Sequence, residues 1–209
     1  MKVLTFAATN SRKSINKQLV KYAATKLANA EIDYVEINDF DLPIYNIDLE
    51  EQYGIPKCAH AFQARIEQAD VILVSFAEHN GNFTVAFKNL FDWMSRIGRN
   101  VYRDKSIVML ATSPGPGGGN TVLKLAETAA PFFSGKVVGS LSIPSFFDNF
   151  DVDRGELTNS DLVEKLDQVL GAFEPQTTQR ASAWTRNSRF YLMVDQRIIL
   201  KSFFCQIYE

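Results

Sequence analysis

Stretches of apolar residues alternate with stretches that are apolar on one side only. Residues 71–76 and 106–111 are nearly unbroken apolar runs, as expected for strands covered on both faces of a sheet. In other segments, apolar residues recur at helical spacing. Examples are Ile15, Leu19, Ala23 and Leu27. The pattern predicts five strands, at 2–9, 32–38, 71–76, 106–111 and 137–143. It predicts five helices, at 16–29, 57–68, 82–97, 122–133 and after a capping box formed by Thr158 and Asp161.

Strictly alternating strands and helices imply a parallel sheet with right-handed crossovers. With five strands we expect an α/β, flavodoxin-like three-layer sandwich whose five-stranded parallel sheet has the order 2-1-3-4-5. The connection 39–56, which carries Pro43, Gly54 and Pro56, is predicted to be an ordered loop.

The domain pattern stops near residue 173. The chain has 209 residues, of which 46% are hydrophobic, enough for one domain with a sizeable core. Residues 174–209 begin with a polar stretch and end in an apolar one, without continuing the alternation. We predict that 1–173 is the functional domain and 174–209 a poorly ordered or non-native appendage, with a partner-binding tail as the alternative.

Charge and composition exclude several classes of partner. The net charge of −2 gives no basic field for nucleic acid or an anionic membrane. No apolar run is long enough to span a membrane, and no secretory signal opens the chain. Cys58 and Cys205 lack any CxxC spacing, which favours free thiols in a reducing compartment. We expect a cytoplasmic protein.

The first candidate loop, residues 9–16, follows strand 1 and precedes a helix. Ser11, Ser14 and Arg12 offer hydroxyls and a guanidinium beside a helix N-terminus, which already favours a phosphate. The loop has neither the GxxxxGK[ST] nor the GxGxxG pattern. An alternative is that Ser14 or Asn16 only caps the helix.

The second loop, residues 78–83, follows strand 3. Asn80-Gly81 predicts a tight turn with positive φ, so that backbone amides can face a ligand edge such as the pyrimidine side of a flavin. Glu78 could bind the ligand or lie in solvent, and His79 could touch it or be an incidental surface histidine.

The third loop, residues 113–119, has four glycines in five positions. Without Cβ atoms, this backbone can approach an aromatic ring closely, although a flexible turn is the alternative. Because the carboxyl ends of the strands share one edge, the three loops can converge on one ligand. A phosphate site next to two ring sites indicates flavin mononucleotide (FMN).

An aromatic stripe and a group of three aspartates are both more typical of structure than of a ligand site. The stripe formed by Phe83, Phe87, Leu90, Phe91, Trp93 and Met94 is predicted to be core or subunit interface, in preference to a ring-stacking site. Asp148, Asp151 and Asp153 are predicted to be a solvated acidic loop, and no metal site is expected.

The loops together resemble a known family. Residues 10–16, Asn-Ser-Arg-Lys-Ser-Ile-Asn, resemble the GSxRxxSxN loop of the NADPH-dependent FMN reductases, which include chromate and quinone reductases of flavodoxin-like fold. Residues 78–81, with Lys88-Asn89 and Asp92-Trp93, are similar to the family segment PEYNGSxPxxLKNAxDW. Residues 113–118 are similar to its glycine-rich third loop.

The resemblance implies which residues bind FMN. The phosphate would be held by the first loop and the isoalloxazine ring by the second and third. The implied cofactor-binding residues are Ser11, Arg12, Ser14, Ile15, Asn16, Glu78, His79, Asn80, Gly81, Ser113, Gly115, Gly117 and Gly118. Asn10, Ala77 and His79 depart from the family's glycine, proline and tyrosine, and Phe83-Thr84 replaces its Ile-Pro pair.

The resemblance further implies an NAD(P)H-dependent FMN oxidoreductase that passes hydride from nicotinamide to FMN and then to a quinone, flavin or similar acceptor. FMN would do the chemistry, so no catalytic side chain is assigned. The family implies a homodimer or homotetramer, to which Phe91, Trp93 and Met94 could contribute.

Three alternatives use the same fold. One is a flavodoxin-like FMN electron carrier that accepts no hydride, and another is a flavin-free relic kept for an interaction. A phosphoryl-accepting receiver domain is disfavoured because strands 1 and 3 end without clustered aspartates. The sequence leaves open the acceptor, the choice between NADH and NADPH, and the oligomeric state.

Overall fold

The core of the protein is a five-stranded parallel sheet. A computed structural model describes residues 1–173. Its sheet strands are Lys2–Ala8 (β1), Glu31–Val35 (β2), Val71–Phe76 (β3), Ser106–Thr112 (β4) and Lys136–Ile143 (β5). All neighbouring pairs are parallel, and the strand order is β2-β1-β3-β4-β5. The predicted fold class and strand order are confirmed.

Seven α-helices occur within residues 1–173. They are Ile15–Thr25 (α1), Ile47–Tyr53 (α2), Lys57–Gln68 (α3), Val85–Ile97 (α4), Asn120–Ala129 (α5), Phe146–Asn149 (α6) and Ser160–Gly171 (α7). Short 3-10 helices cover Ile37–Asp39 and Ala130–Phe133. Two small hairpins pair Glu78–His79 with Asn82–Phe83 and Phe150–Asp151 with Glu156–Leu157.

The sheet is covered on both faces by separate hydrophobic clusters. On one face, apolar residues of α1 and α7 such as Leu19 and Leu166 pack with Val108 of β4. On the other face, α3, α4 and α5 pack against residues such as Phe6 and Met109. The apolar stripes of the helices therefore pack one helical layer onto each face of the sheet. The carboxyl ends of the strands are followed by loops.

The predicted loop 39–56 is wrong in part, because it contains the helix α2. No residue of α2 is buried, so the helix lacks the apolar stripe that would reveal it in the sequence. Asn46 caps its N-terminus by accepting a hydrogen bond from the Asp48 N–H. The Arg96 guanidinium donates to Glu50 and so ties α2 to α4.

Several predicted helix and strand boundaries are also wrong. Helix α1 ends at Thr25 instead of residue 29, and β2 ends at Val35 instead of residue 38. Residues 82–83 form a hairpin strand, and α4 begins only at Val85. Helix α5 begins at Asn120 and ends at Ala129, where the 3-10 helix containing Pro131 follows. The last helix is capped by Asn159, which accepts hydrogen bonds from the Asp161 and Leu162 amides, so the Thr158 capping box is wrong.

The aromatic stripe at the start and middle of α4 packs against the core, as one of its two predicted positions requires. Trp93 and Met94 are each 1% exposed in the single chain. Phe91 packs edge-on against Phe133, with ring centroids 4.8 Å apart. Trp93 and Met94 are therefore core, and Phe91 is partly buried against the same core. The contribution of Phe91 to a subunit interface stays a prediction.

The acidic residues near position 150 and one of the two cysteines lie within the described residues. Asp151 accepts hydrogen bonds from the amides of Asp153 and Arg154 and so shapes the turn of its hairpin. Cys58 is a free thiol, and Cys205 lies outside the described residues, as does the predicted appendage 174–209. Within residues 1–173, no helix is both long and apolar enough to cross a membrane.

Candidate functional site

The first loop presents hydrogen-bond donors at the N-terminus of α1. Ser11, Arg12 and Lys13 are exposed. Among the residues described, neither the backbone N–H groups of Arg12 and Lys13 nor the Arg12 guanidinium has a partner. The first turn of α1 carries no acidic residue. Free N–H groups, a helix dipole and a guanidinium together favour an anion at this position.

Ser14 and Ile15 have structural roles in the same loop. Ser14 is the N-cap of α1, and its hydroxyl oxygen accepts a hydrogen bond from the Asn16 N–H at 3.2 Å. This is the capping alternative noted from the sequence, and it leaves the Ser14 O–H free to donate elsewhere. The Ile15 side chain is partly buried and packs against the core on the α1 face.

Asn16 faces the interior of the protein. It is 2% exposed, and its side chain makes hydrogen bonds to Ser75 of β3 and to the backbone of Thr112 in β4. Neither partner belongs to the first loop. The side chain therefore connects the start of α1 to the ends of two sheet strands.

The second loop is a hairpin with a two-residue turn. Asn80 has φ 53° and Gly81 has φ 72°, so both central residues adopt the left-handed conformation of a type I′ turn. The predicted tight turn is confirmed. His79 lies exposed opposite Asn82 in this hairpin.

Glu78 connects the second loop to helix α5, which follows the third loop. Its Oε2 atom accepts a hydrogen bond from the Val122 N–H at 3.0 Å. Helix α5 begins after Gly119, which has no side chain to cap it. The Glu78 carboxylate therefore supplies the missing cap and lies at the positive end of the α5 dipole.

The glycines of the third loop divide into two kinds. Gly118 has φ 60°, and a Cβ there would lie 2.3 Å from the Ser142 hydroxyl oxygen. Gly119 is likewise left-handed and close to the backbone of β4. At Gly115 and Gly117, by contrast, a Cβ would meet nothing within 4 Å. Two glycines are needed to build the loop, and two border open space beside it.

Backbone contacts fix the third loop against the chain that follows β5. The Gly115 carbonyl accepts hydrogen bonds from the Ser145 N–H at 2.9 Å and from the Ser113 hydroxyl at 3.1 Å. The Ser113 carbonyl accepts one from the Phe146 N–H at 3.0 Å. These contacts hold the loop in one conformation. A flexible turn, which was the alternative interpretation, would not make them.

A cavity of about 400 Å³ lies between the first two loops and the segment after β2. The segment is attached to the first loop because the Asn38 side chain donates to the Asn10 carbonyl at 3.0 Å. Polar and apolar residues both line the cavity: Asn10, Ile37, Asn38, Phe40, Asp41, Leu42, His79, Thr84, Val85, Ala86 and Asn89. Residues 37–42 are not among the predicted site residues, although β2 adjoins β1 in the predicted strand order.

Thr84 replaces the proline of the family segment and takes over its position at the start of α4. It is 1% exposed, and its hydroxyl donates to the Ala8 carbonyl at 3.0 Å. The same oxygen accepts a hydrogen bond from the Phe87 N–H and so caps the helix. This departure therefore joins the second loop to the end of β1.

A partly buried charge pair adjoins the first loop. The Lys17 ammonium donates to the Glu36 carboxylate, which also accepts a hydrogen bond from the Tyr34 hydroxyl at 3.1 Å. Burial, together with the Glu36 carboxylate, raises the pKa of Tyr34 above its ordinary value. Because Lys17 is paired, Arg12 is the better source of positive charge for an anion on this loop.

The family model for NADPH-dependent FMN reductases matches residues 1–148. The chain belongs to the NADPH-dependent FMN reductase family. This membership confirms the predictions of a reductase, of FMN as cofactor and of a reduced nicotinamide as co-substrate. The predicted assignment of individual binding residues stays a prediction.

Named relatives share much of the chain. It is 32% identical to an NAD(P)H:quinone oxidoreductase of Solanum tuberosum over 185 residues, which cover 83% of this chain and 91% of the relative. It is 33% identical to an NADPH:quinone oxidoreductase of Arabidopsis thaliana over 143 residues, covering 67% and 71% of the two chains.

Solved structures agree on the fold. The flavoenzyme NAD(P)H:(acceptor) oxidoreductase FerB of Paracoccus denitrificans superposes with a TM-score of 0.65 at 23% identity, covering 82% of this chain and 94% of that one. An oxidoreductase of Corynebacterium diphtheriae gives a TM-score of 0.60 at 13% identity, with coverage of 82% and 94%.

Proposed function

We propose that the three loops bind FMN and that the protein uses NAD(P)H to reduce a quinone. The observation that carries the proposal is a set of donors at the α1 N-terminus that have no partner within residues 1–173. Beside them, Glu78 joins the second loop to the helix that follows the third loop. A phosphate and a planar ring need such neighbouring surfaces. The residues present fit FMN.

The first loop would hold the phosphate. The Ser11 hydroxyl, the Arg12 guanidinium and the N–H groups of Arg12 and Lys13 are the donors that point to this assignment. All lie at a helix N-terminus, where negative charge is favoured. The Ser14 hydroxyl can add a donor without giving up its capping role.

The second and third loops would hold the isoalloxazine ring. The His79–Gly81 backbone offers amides at a rigid turn, and Gly115 and Gly117 leave open space for the ring edge. When bound, FMN supplies the redox chemistry. The chain's own residues bind and orient the flavin, so we assign no catalytic side chain.

The cavity beside the first two loops is the proposed acceptor site. Its volume of about 400 Å³ suits a small planar molecule. Asn38 and His79 can donate hydrogen bonds to carbonyl oxygens, and the Asp41 carboxylate can accept one from a hydroxyl group. Phe40 and Leu42 supply apolar walls. A quinone presents that combination, and the names of the two plant relatives agree with it.

Steady-state kinetics would test this proposal. Protein loaded with FMN should oxidise NAD(P)H continuously, beyond the one equivalent that bound FMN can accept, only when a benzoquinone or naphthoquinone is added. Parallel assays with NADH and NADPH would determine the nicotinamide preference. Flavin binding with negligible turnover on either nicotinamide would instead support the electron-carrier alternative.

Three further proposals concern the whole protein. Residues 1–173 would be the complete reductase domain, with 174–209 as an appendage. We keep the cytoplasm as its location, which the free Cys58 thiol supports. We also keep a homodimer or homotetramer as the assembly. Light scattering of the purified chain would measure its mass in solution, and a monomer would contradict that part.

A further inference from the structure

The Asn16 side chain makes three hydrogen bonds, and none of them caps helix α1, whose N-cap is Ser14. Its Oδ1 atom accepts one from the Ser75 hydroxyl at 2.7 Å and one from the Thr112 N–H at 3.1 Å. Its Nδ2 atom donates to the Thr112 carbonyl at 3.1 Å. The backbone N–H of the same residue donates to Ser14.

These contacts leave the side chain little capacity for a ligand. A carboxamide has two acceptor lone pairs and two N–H donors. Both lone pairs of Asn16 and one N–H are used by protein groups, and the residue is 2% exposed. A direct phosphate contact would depend on the single remaining N–H.

The partners of Asn16 lie immediately before the candidate loops. Asn16 itself ends the first loop, Ser75 lies three residues before Glu78, and Thr112 is the last residue of β4, directly before Ser113. The bonds to Thr112 join residues 96 positions apart in the chain. One buried side chain therefore fixes the phosphate loop relative to the strand ends that carry the two ring loops.

The connection continues to the edge of the sheet. The Thr112 hydroxyl donates to the Ile143 carbonyl at 2.7 Å, and the neighbouring Ser142 hydroxyl donates to the Gly118 carbonyl at 2.9 Å. The third loop is thus held from both sides. A loss at Asn16 would release the Thr112 side of this arrangement.

We propose that Asn16 is a positioning residue that sets the separation between the phosphate loop and the ring loops without binding the phosphate itself. The proposal rests on the proposed FMN site. It predicts that the side chain contributes equally to the binding of FMN and of riboflavin, which lacks the phosphate. A direct phosphate ligand would contribute to FMN alone.

The test compares both flavins on purified full-length variants by fluorescence titration. Asn16→Ala should weaken FMN and riboflavin by the same factor, roughly 10-fold or more, since a buried hydrogen-bond network is lost. Ser11→Ala is the matched control and should weaken FMN only. A loss confined to FMN in Asn16→Ala would overturn the proposal, and so would unchanged binding of both flavins.

A milder variant keeps the test decisive if Asn16→Ala folds poorly. Ser75→Ala removes one donor to Asn16 from a side chain that is fully buried and cannot reach a ligand. It should weaken both flavins by a common factor of roughly 2- to 10-fold. Equal loss supports the proposal, and no loss contradicts it.

Hydrogen exchange of the flavin-free protein tests the same connection without a ligand. Amides of residues 112–119 should exchange faster in Asn16→Ala and Ser75→Ala than in the wild type, while those of the hairpin 150–157 stay unchanged. Unchanged exchange at 112–119 would overturn the proposal. If the wild type bound no flavin at all, the proposed function would fail, and this measurement would still decide whether Asn16 holds the loops.

Discussion

Arg12 is the residue whose surroundings agree best with an anion ligand. Its guanidinium is exposed and has no carboxylate partner within the described part of the chain, although the neighbouring Lys17 is paired with Glu36. A charge left unpaired at a helix N-terminus is available to a phosphate.

Replacing Arg12 should weaken FMN binding in particular. We expect Arg12→Ala to lower the binding free energy of FMN by about 1.5–3 kcal/mol, the range for a hydrogen bond to a charged group. Calorimetric titration measures the change. Lys13→Ala, which removes an exposed neighbouring charge but keeps the backbone N–H, is the control with a smaller expected loss. An unchanged FMN affinity in Arg12→Ala would contradict the assignment.

The glycines of the third loop should respond differently to alanine. Gly118→Ala should lower the free energy of unfolding by about 1–3 kcal/mol, because φ is 60° and the new Cβ would collide with Ser142. Gly117→Ala, where the space is open, should change it by less than about 0.5 kcal/mol. Urea denaturation compares the two, and equal losses would show that the loop differs from this description.

Sequence reasoning at this scale succeeds where one residue type determines the local backbone. Asn80-Gly81 predicts its left-handed turn because few other pairs adopt that conformation. Asn16 could not be interpreted in the same way. Its partners Ser75 and Thr112 are distant in the chain, and spacing along a sequence carries no information about them.

At the scale of elements, the connection between β2 and α3 is fixed from α4. The Trp93 indole N–H donates to the Pro43 carbonyl at 2.8 Å, and Asn89 contacts the backbone of Leu42, Pro43 and Tyr45. These contacts hold the chain that forms one wall of the cavity. Asn89 and Trp93 lie in the segment that resembles the family, and the fold gives both a structural purpose.

Trp93→Phe removes the indole donor but keeps an aromatic ring in the core. We expect the free energy of unfolding to fall by about 1–3 kcal/mol, because the Pro43 carbonyl loses a partner and the smaller ring fills less space. Limited proteolysis should also cleave the region 39–56 faster. Wild-type stability together with wild-type cleavage would mean that Trp93 does not hold this segment.

Helix α2 shows which elements a sequence pattern misses. Its residues Ile47 and Tyr53 are exposed, so apolar periodicity gives no signal. Helix α6 has four residues, too few for any period to be detected. The longer helices that cover the sheet each bury a stripe and could be predicted. Both ends of α3 and the C-terminal end of α4 agree with the prediction, whereas the ends of α1 and α5 do not.

At the scale of the whole molecule, the alternation of elements predicts a parallel sheet, and the flavodoxin-like strand order expected for five strands determines which loops can meet. The same order places the end of β2 beside the first loop, which explains why Asn38 and Asp41 line the cavity. Convergence of the loops could thus be predicted. The hydrogen bonds that fix them, at Glu78 and Asn16, required the structure.

The domain boundary makes a prediction about the full chain. Phe173 is buried against the α7 face of the core, so the packed domain extends at least to this residue. A chain truncated after residue 173 should keep the FMN affinity of the full chain to within about 0.5 kcal/mol, as for changes outside packed structure. Calorimetry on both chains provides the comparison. Loss of folding or flavin binding on truncation would show that 174–209 belongs to the functional unit.

The most direct measurement is a titration of flavin-free protein with FMN, followed by calorimetry and by the visible absorption spectrum of the bound flavin. Our account predicts saturable binding of one FMN per chain, with a yellow complex that survives gel filtration. Absence of binding heat, with all the FMN eluting separately from the protein, would contradict it.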